Sequence, residues 1–321
     1  MRRITTAPFL FVALLALSAA PASAAPFVGG TWWAALDGWF AQPANLNLDA
    51  AVADRGRFAR GGEVLGPSFG HEFSGRIRFG WRGEPDQNAY AASFWWWDSD
   101  ASMEAAGGLI PALSDPLITS NDFANSMKSA ADVEAQVFDL MLIRRLTGKK
   151  KATWYWSAGA RYAKYDQDWH TDYFEPDPNI PINKEEDVDV AVESTGTGIS
   201  LGLAGTYQWH PKWRTFARAQ TALLKGSTDS SILDKDLRFS LPPFAVSAIT
   251  RDGHDRVYQQ WEIEARVAFN AWQGLDVSFG YAFLNWSDVA QVDRYLDDVQ
   301  AGLSFTRQSV SFDGFVLGVS Y

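Results

Sequence analysis

Cysteine is absent from the 321-residue sequence. That excludes a disulfide framework and any thiolate metal site. No Ser-His-acid spacing, phosphate loop, His-x-Glu metal motif or twelve-residue calcium loop is present. An excess of basic charge is missing too. The formal balance is −10, which makes the chain a poor nucleic-acid binder. Mean hydropathy is only −0.17, too low for a helical membrane protein, and the single long apolar run lies at the N-terminus.

That run reads as a secretory leader over residues 1–24. Arg2 and Arg3 form a basic start, residues 8–20 are apolar, and Ala22-Ser23-Ala24 has the small-residue pattern of a cleavage site. The run is too short for a transmembrane anchor. No cysteine follows it, so a lipoprotein anchor is excluded. Loss of Arg2 and Arg3 takes the balance from −10 to −12. The leader style predicts an exported bacterial protein with residues 25–321 as its mature part.

What the sequence has in abundance is aromatic residues, 14% of the chain with 15 tryptophans, and strict alternation. Between residues 260 and 270, Trp261, Ile263, Ala265, Val267 and Phe269 fall on one face, with Gln260, Glu262, Glu264, Arg266, Ala268 and Asn270 on the other. Residues 275–283 alternate in the same way. Period two predicts a hairpin with one face in apolar and one in polar surroundings. Further strands are predicted at 31–41, 71–82, 89–99, 132–146, 152–167, 195–209, 213–226 and 308–321, ten in all. The phase of the 132–146 strand changes near Val137-Phe138, which predicts either a bulge or a different register.

Long and short connections alternate throughout. The long ones span 42–70, 100–131, 168–193, 227–255 and 287–307; the short ones fall at 83–87, 147–151, 210–212 and 273–274. This is the pattern of an all-β, up-and-down transmembrane barrel with short periplasmic turns and long outer loops. A Greek-key sandwich gives no reason for it. Ten strands place both termini on the periplasmic side, and pairing of first with last removes the sheet edges. Eight or twelve strands remain alternatives. Trp81, Trp154, Trp156, Trp209, Trp213, Trp272 and Tyr321 lie beside short turns or at the C-terminus, whereas Trp96, Tyr165, Trp261 and Trp286 lie nearer the long loops. Both groups are expected at the membrane interfaces. The final strand puts Phe315, Leu317, Val319 and Tyr321 on one face, like the terminal strand by which outer-membrane barrels are recognised for insertion.

Several segments, taken in order, carry a family resemblance. They are 32–40, 73–81, Val137-Phe138-Asp139-Leu140, residues 157–163, Gly202-Leu203-Ala204-Gly205-Thr206-Tyr207, and residues 280–286. Their order resembles the outer-membrane proteins similar to the Legionella major outer membrane protein, a porin-like group. The resemblance implies pore formation or surface contact and no catalytic motif or cofactor. That group's major protein is a disulfide-linked porin; without cysteine, a covalent oligomer of that kind is excluded here, while a non-covalent homo-oligomer stays open. Expected partners are outer-membrane lipid, lipopolysaccharide and the barrel-insertion machinery, in the outer membrane of a Gram-negative cell.

The face turned away from lipid carries the chemistry. It is predicted to hold Glu72, Arg76, Arg78, Arg161, Arg214, Arg218, Glu262, Glu264, Arg266 and Asp276, with Asp37 and Asp139 as further candidates. A midplane arginine facing lipid costs about 2–4 kcal/mol, so these charges must point inward. Unpaired arginines would line a narrow pore for small polar or anionic solutes, and porin-like passage of this kind is the expected function. Matched pairs would close a lumen only a little wider than side chains can fill, leaving function to the outer loops. Those loops are acidic, with Asp172, Glu175, Asp177, Glu185, Glu186, Asp187 and Asp189 in one of them. A short helix is expected within residues 101–135. The third class is an omptin-like surface protease. His170-Thr171-Asp172 and His254-Asp255 are its rim candidates for acid–base work, but no opposing acidic pair accompanies them, and no enzyme is expected.

Overall fold

The computed structural model describes residues 30–44, 46, 48, 50–53, 63–83, 88–111, 124–149, 151–175, 184–236, 245–272, 274–289 and 308–321. The expected leader lies outside them. Twelve strands are present among the described residues: β1 Thr31–Ala44, β2 Ala51–Ala53, β3 Glu63–Leu65, β4 Glu72–Arg82, β5 Ala89–Pro111, β6 Ala124–Lys149, β7 Ala152–Glu175, β8 Lys184–His210, β9 Trp213–Asp236, β10 Ala245–Trp272, β11 Leu275–Val289 and β12 Gln308–Ser320. None of the described residues is helical.

Ten of these strands close into one antiparallel barrel. The ring runs β1, β4, β5, β6, β7, β8, β9, β10, β11, β12, and β12 pairs back onto β1. Closure leaves no unpaired edge in the part that lipid surrounds. On β10 the two faces are those that the alternation predicts, with Trp261, Ile263, Ala265 and Val267 exposed and Gln260, Glu262, Glu264, Arg266 and Ala268 buried within; Val257 and Tyr258 extend the pattern toward the outer end, and Phe269 and Asn270 are partly exposed. Gly274, at φ +96°, makes the tight turn into β11.

The wall is uneven in height. β5 to β10 run 23 to 28 residues, while β1, β4, β11 and β12 run 11 to 15. Most of the stretches expected as long outer loops are therefore strand. Residues 101–111 and 124–135 belong to β5 and β6, which overturns the helix expected there over the described part of that stretch. The outer end of β5 projects past β4, and β2 pairs with it at Leu109–Pro111, with β3 alongside.

No bulge occurs at Val137-Phe138. The β6–β7 register is continuous from Ser126 to Arg145. Val133, Ala135, Val137, Asp139 and Met141 all face inward, and Glu134, Gln136, Phe138 and Leu140 outward. What changes is the surroundings. Within the lipid band the outside is greasy and the inside charged, whereas above it the outside meets water and the inside is packed. A single continuous strand crosses both zones, so its polarity inverts without any backbone irregularity.

Candidate functional site: a lumen in three storeys and an acidic outer wall

The lowest storey is ionic. Arg161 on β7 donates to Asp139 on β6 through Nε (2.7 Å) and Nη2 (2.8 Å), then to Gln260 Oε1 on β10 (3.1 Å), and lies 3.5 Å from Glu262. Arg76 on β4 reaches across the lumen to Glu262 (2.6 Å) and Glu264 (3.2 Å). Arg218 pairs with both glutamates from β9. Arg266 pairs with Glu264 and with Asp37 on β1, and Arg78 closes on Asp37 at 2.7 Å. Arg214 and Asp276 pair nearer the periplasmic end. Of the predicted lumen residues, only Glu72 stays out of the network, exposed at the start of β4. Asp37 and Asp139 both join it. Six arginines thus face five carboxylates, and every one has an opposite charge within 4 Å.

The second storey is aromatic. Trp39, Trp95, Trp97, Tyr165, Trp286 and Phe312 are buried together. Ring centroids lie 5.8 Å apart for Trp39 and Trp95, 5.6 Å for Trp95 and Phe312, 5.0 Å for Trp97 and Phe312, and 6.0 Å for Tyr165 and Trp286. β5 and β12 are not neighbours, nor are β7 and β11, so these contacts span the lumen. Two sequence expectations fail here. Trp286, only 3% exposed, and Tyr165 are not interface aromatics; both point inward. Alternation assigns a face only after the register is known, and the inward polarity inverts at this height. Trp154, Trp209, Trp213, Trp272 and Tyr321 are exposed at the periplasmic end, and Trp81 and Trp156 are partly exposed there.

The third storey fills the tall part of the wall. Met127, Ala131, Trp169, Tyr173, Val188, Val190, Val192 and Ile232 face inward. Leu48, Ala50 and Ala51, from the connection after β1, pack among them, and the Tyr173 hydroxyl donates to the Ala50 carbonyl. Part of the first outer connection is therefore tucked into the mouth. Sequence reading missed this storey, although the signal was there: Val188, Val190 and Val192 alternate with Asp187, Asp189 and Glu193.

The outward face of the same wall is acidic. Asp98, Glu134, Asp166, Glu193 and Asp229 lie in register across five adjacent strands. Directly opposed like charges are unfavourable; Lys164 offsets part of this by pairing with Asp166 (2.6 Å) and Glu193 (3.5 Å). Burial, aided by Glu134 and Asp100, raises the Asp98 carboxyl above its ordinary value, and burial with Asp132 does the same for Asp168. Farther out, His170 Nδ1 lies 2.7 Å from Asp189 and 3.5 Å from Asp187, with Asp172 at 3.3 Å from Nε2. Lys235 also pairs with Asp187 and Asp189. Burial opposes the charged imidazole, but the Asp189 hydrogen bond and the three aspartates win, so His170 is held above the usual histidine range. His170 and Asp172 face outward, away from the lumen. Asp255 is exposed beside Lys225 at 3.4 Å; the His254 side chain lies outside the described residues.

A family model described as the Legionella pneumophila major outer membrane protein precursor matches residues 86–321. The chain belongs to that family. Its place is accordingly the bacterial outer membrane. No curated protein matches. Among solved structures, the outer membrane protease OmpT of Escherichia coli is 12% identical, with 93% of this chain and 99% of that one covered at a TM-score of 0.47. The Pseudomonas putida toluene transporter TodX is 11% identical, covering 92% and 90%, at a TM-score of 0.32.

Proposed function

We propose that this family member is a sealed outer-membrane barrel that acts as a structural and surface-contact protein, through its tall acidic wall. The observation that supports it is the pairing of six inward arginines with five carboxylates, with Arg76, Arg161 and Arg266 making the contacts that span the lumen, beneath an aromatic storey and a mouth into which part of the first outer connection packs. Matched charges close a narrow lumen, while the carboxylate row on β5 to β9 faces the lipopolysaccharide side. Planar-bilayer recording of the refolded protein tests it. The expected outcome is a silent bilayer, and steady single-channel steps from the native protein overturn the reading.

A second reading is porin-like passage of small polar or anionic solutes through an arginine-rich lumen. The surplus of one arginine in the network favours it. Under this reading Glu262→Gln with Glu264→Gln, which strips two carboxylates from the constriction, makes anion conductance rise from a measurable native level. We assign no enzymatic role, a reading supported by the outward direction of His170 and Asp172.

A further inference from the structure

We infer that the aromatic storey is a binding site for one small, weakly hydrated anion. The inference holds whether or not the lumen conducts. Its basis is a surplus of buried donors. The indole N–H groups of Trp39, Trp95, Trp97 and Trp286 have no hydrogen-bond partner, and neither have the Nε2 groups of Gln167 and Gln260. All six side chains are at least nine-tenths buried. Trp95, Trp97 and Trp286 pack on Phe312, with Trp286 at 6.5 Å from its ring, and Trp39 packs on Trp95. The orientation of the Gln260 amide is set from below, because its oxygen accepts from Arg161. Gln167 is turned likewise by the Tyr165 hydroxyl, which donates to its oxygen.

Unpartnered acceptors at this height are fewer: the hydroxyls of Ser74, Ser99 and Ser200 and the Gln220 side-chain oxygen. The hydroxyls of Ser194, Thr228 and Tyr258 bond one another, and the carboxylates below are held by arginines. Buried donors in native proteins are satisfied as a rule. An indole N–H and an amide N–H can only donate, so the group that satisfies them must be rich in acceptors. A water molecule brings two donors of its own for each pair it accepts, and this storey has few acceptors for them. An anion brings none. The charge agrees: the storey beneath carries one more arginine than carboxylate, and the Arg76 guanidinium lies 4.6 Å over the Trp39 ring, at the boundary between the two. Apolar walls penalise dehydration, which selects chloride, iodide or thiocyanate over sulfate.

Iodide is the probe, since bound iodide quenches tryptophan emission statically. The refolded barrel is titrated with sodium iodide, balanced by sodium sulfate at constant ionic strength. The expected result is a saturable quenching component above the linear collisional one, with melting temperature rising as that component fills. Trp39→Phe with Trp286→Phe keeps the rings and removes two donors. Its half-saturation should move to at least about tenfold higher iodide, the weight of one hydrogen bond to a charged group. Trp272→Phe, at the periplasmic end, should leave it unchanged. Trp286→Phe alone serves if the double variant does not fold, with a smaller shift in the same direction. Purely linear quenching by the native barrel, or a saturable component that the Phe variants do not weaken, overturns the inference.

Discussion

Arg161 holds Asp139 with two parallel hydrogen bonds, at 2.7 and 2.8 Å, from the neighbouring strand and at the height of the lipid band. This is the fork geometry that makes an arginine–carboxylate pair directional as well as strong. It also turns the remaining guanidinium nitrogen toward Gln260, and so joins adjacent-strand pairing to the contacts that span the lumen.

Asp139→Ala should therefore cost about 3–5 kcal/mol, because it leaves a buried guanidinium without its main partner. Replacing both members, Arg161→Met with Asp139→Leu, should cost less than the single change. Urea unfolding in detergent micelles measures both. A double variant less stable than Asp139→Ala would show that the pair contributes net stability rather than mutual compensation.

Gly318 on β12 gives the network room. A Cβ there would meet Asp37 Oδ1, Arg266 Nη1 and the Ser278 hydroxyl. These are the ends of flexible side chains, so the barrel can still close around Gly318→Ala. The Arg266–Asp37 pair must shift, at a cost of about 1–3 kcal/mol typical of overpacking. If the closed-lumen reading holds, displacement of this pair should also bring on intermittent conductance in a planar bilayer. Unchanged stability would mean that the wall yields there instead.

Much of this was legible before any coordinates. Ten strands, their order, the short turns and the inward set Arg76, Arg78, Arg161, Arg218, Glu262, Glu264 and Arg266 follow from period-two alternation, because a charge on a barrel strand in lipid has only one face open to it. The upper half was harder. Above the lipid the outer face is free to be polar, so Val188, Val190 and Val192 turn inward while Asp187 and Asp189 turn out. Read with the lipid-zone rule, such a stretch looks like an acidic loop and Trp286 looks like an interface residue. The pairing of charges across the lumen, Arg76 with Glu262 for instance, depends on closure of the sheet and has no local signature.

On the outer wall, His170 should titrate above 6.5, its ordinary value, with the midpoint read from the imidazole proton resonance and assigned through His170→Gln. Because the folded value is raised, the charged contacts with Asp189, Asp187 and Asp172 contribute stability fully below the unfolded value and lose it as pH rises through the folded one. Asp189→Asn removes the nearest partner and should bring the midpoint down. The side chain is 45% exposed, so the effect on overall stability is screened and small. A midpoint at or below 6.5 would mean that burial outweighs the three aspartates.

The lipid face supplies the sharpest test of the barrel's orientation. Leu317 is 60% exposed on β12 and lies opposite Gly38 on β1 and Phe279 on β11. Its neighbours in sequence, Val316 and Gly318, point inward. Leu317→Arg places a charge toward hydrocarbon near the middle of the band and should cost about 2–4 kcal/mol in folding from urea into phospholipid vesicles. The same arginine at Ser287, beyond the lipid band at the outer end of β11, should cost well under half as much, since the penalty falls off toward the interface. Equal costs at the two positions would mean that Leu317 faces water, and the inward assignment of Glu262, Glu264 and Arg266 would then lose its physical reason.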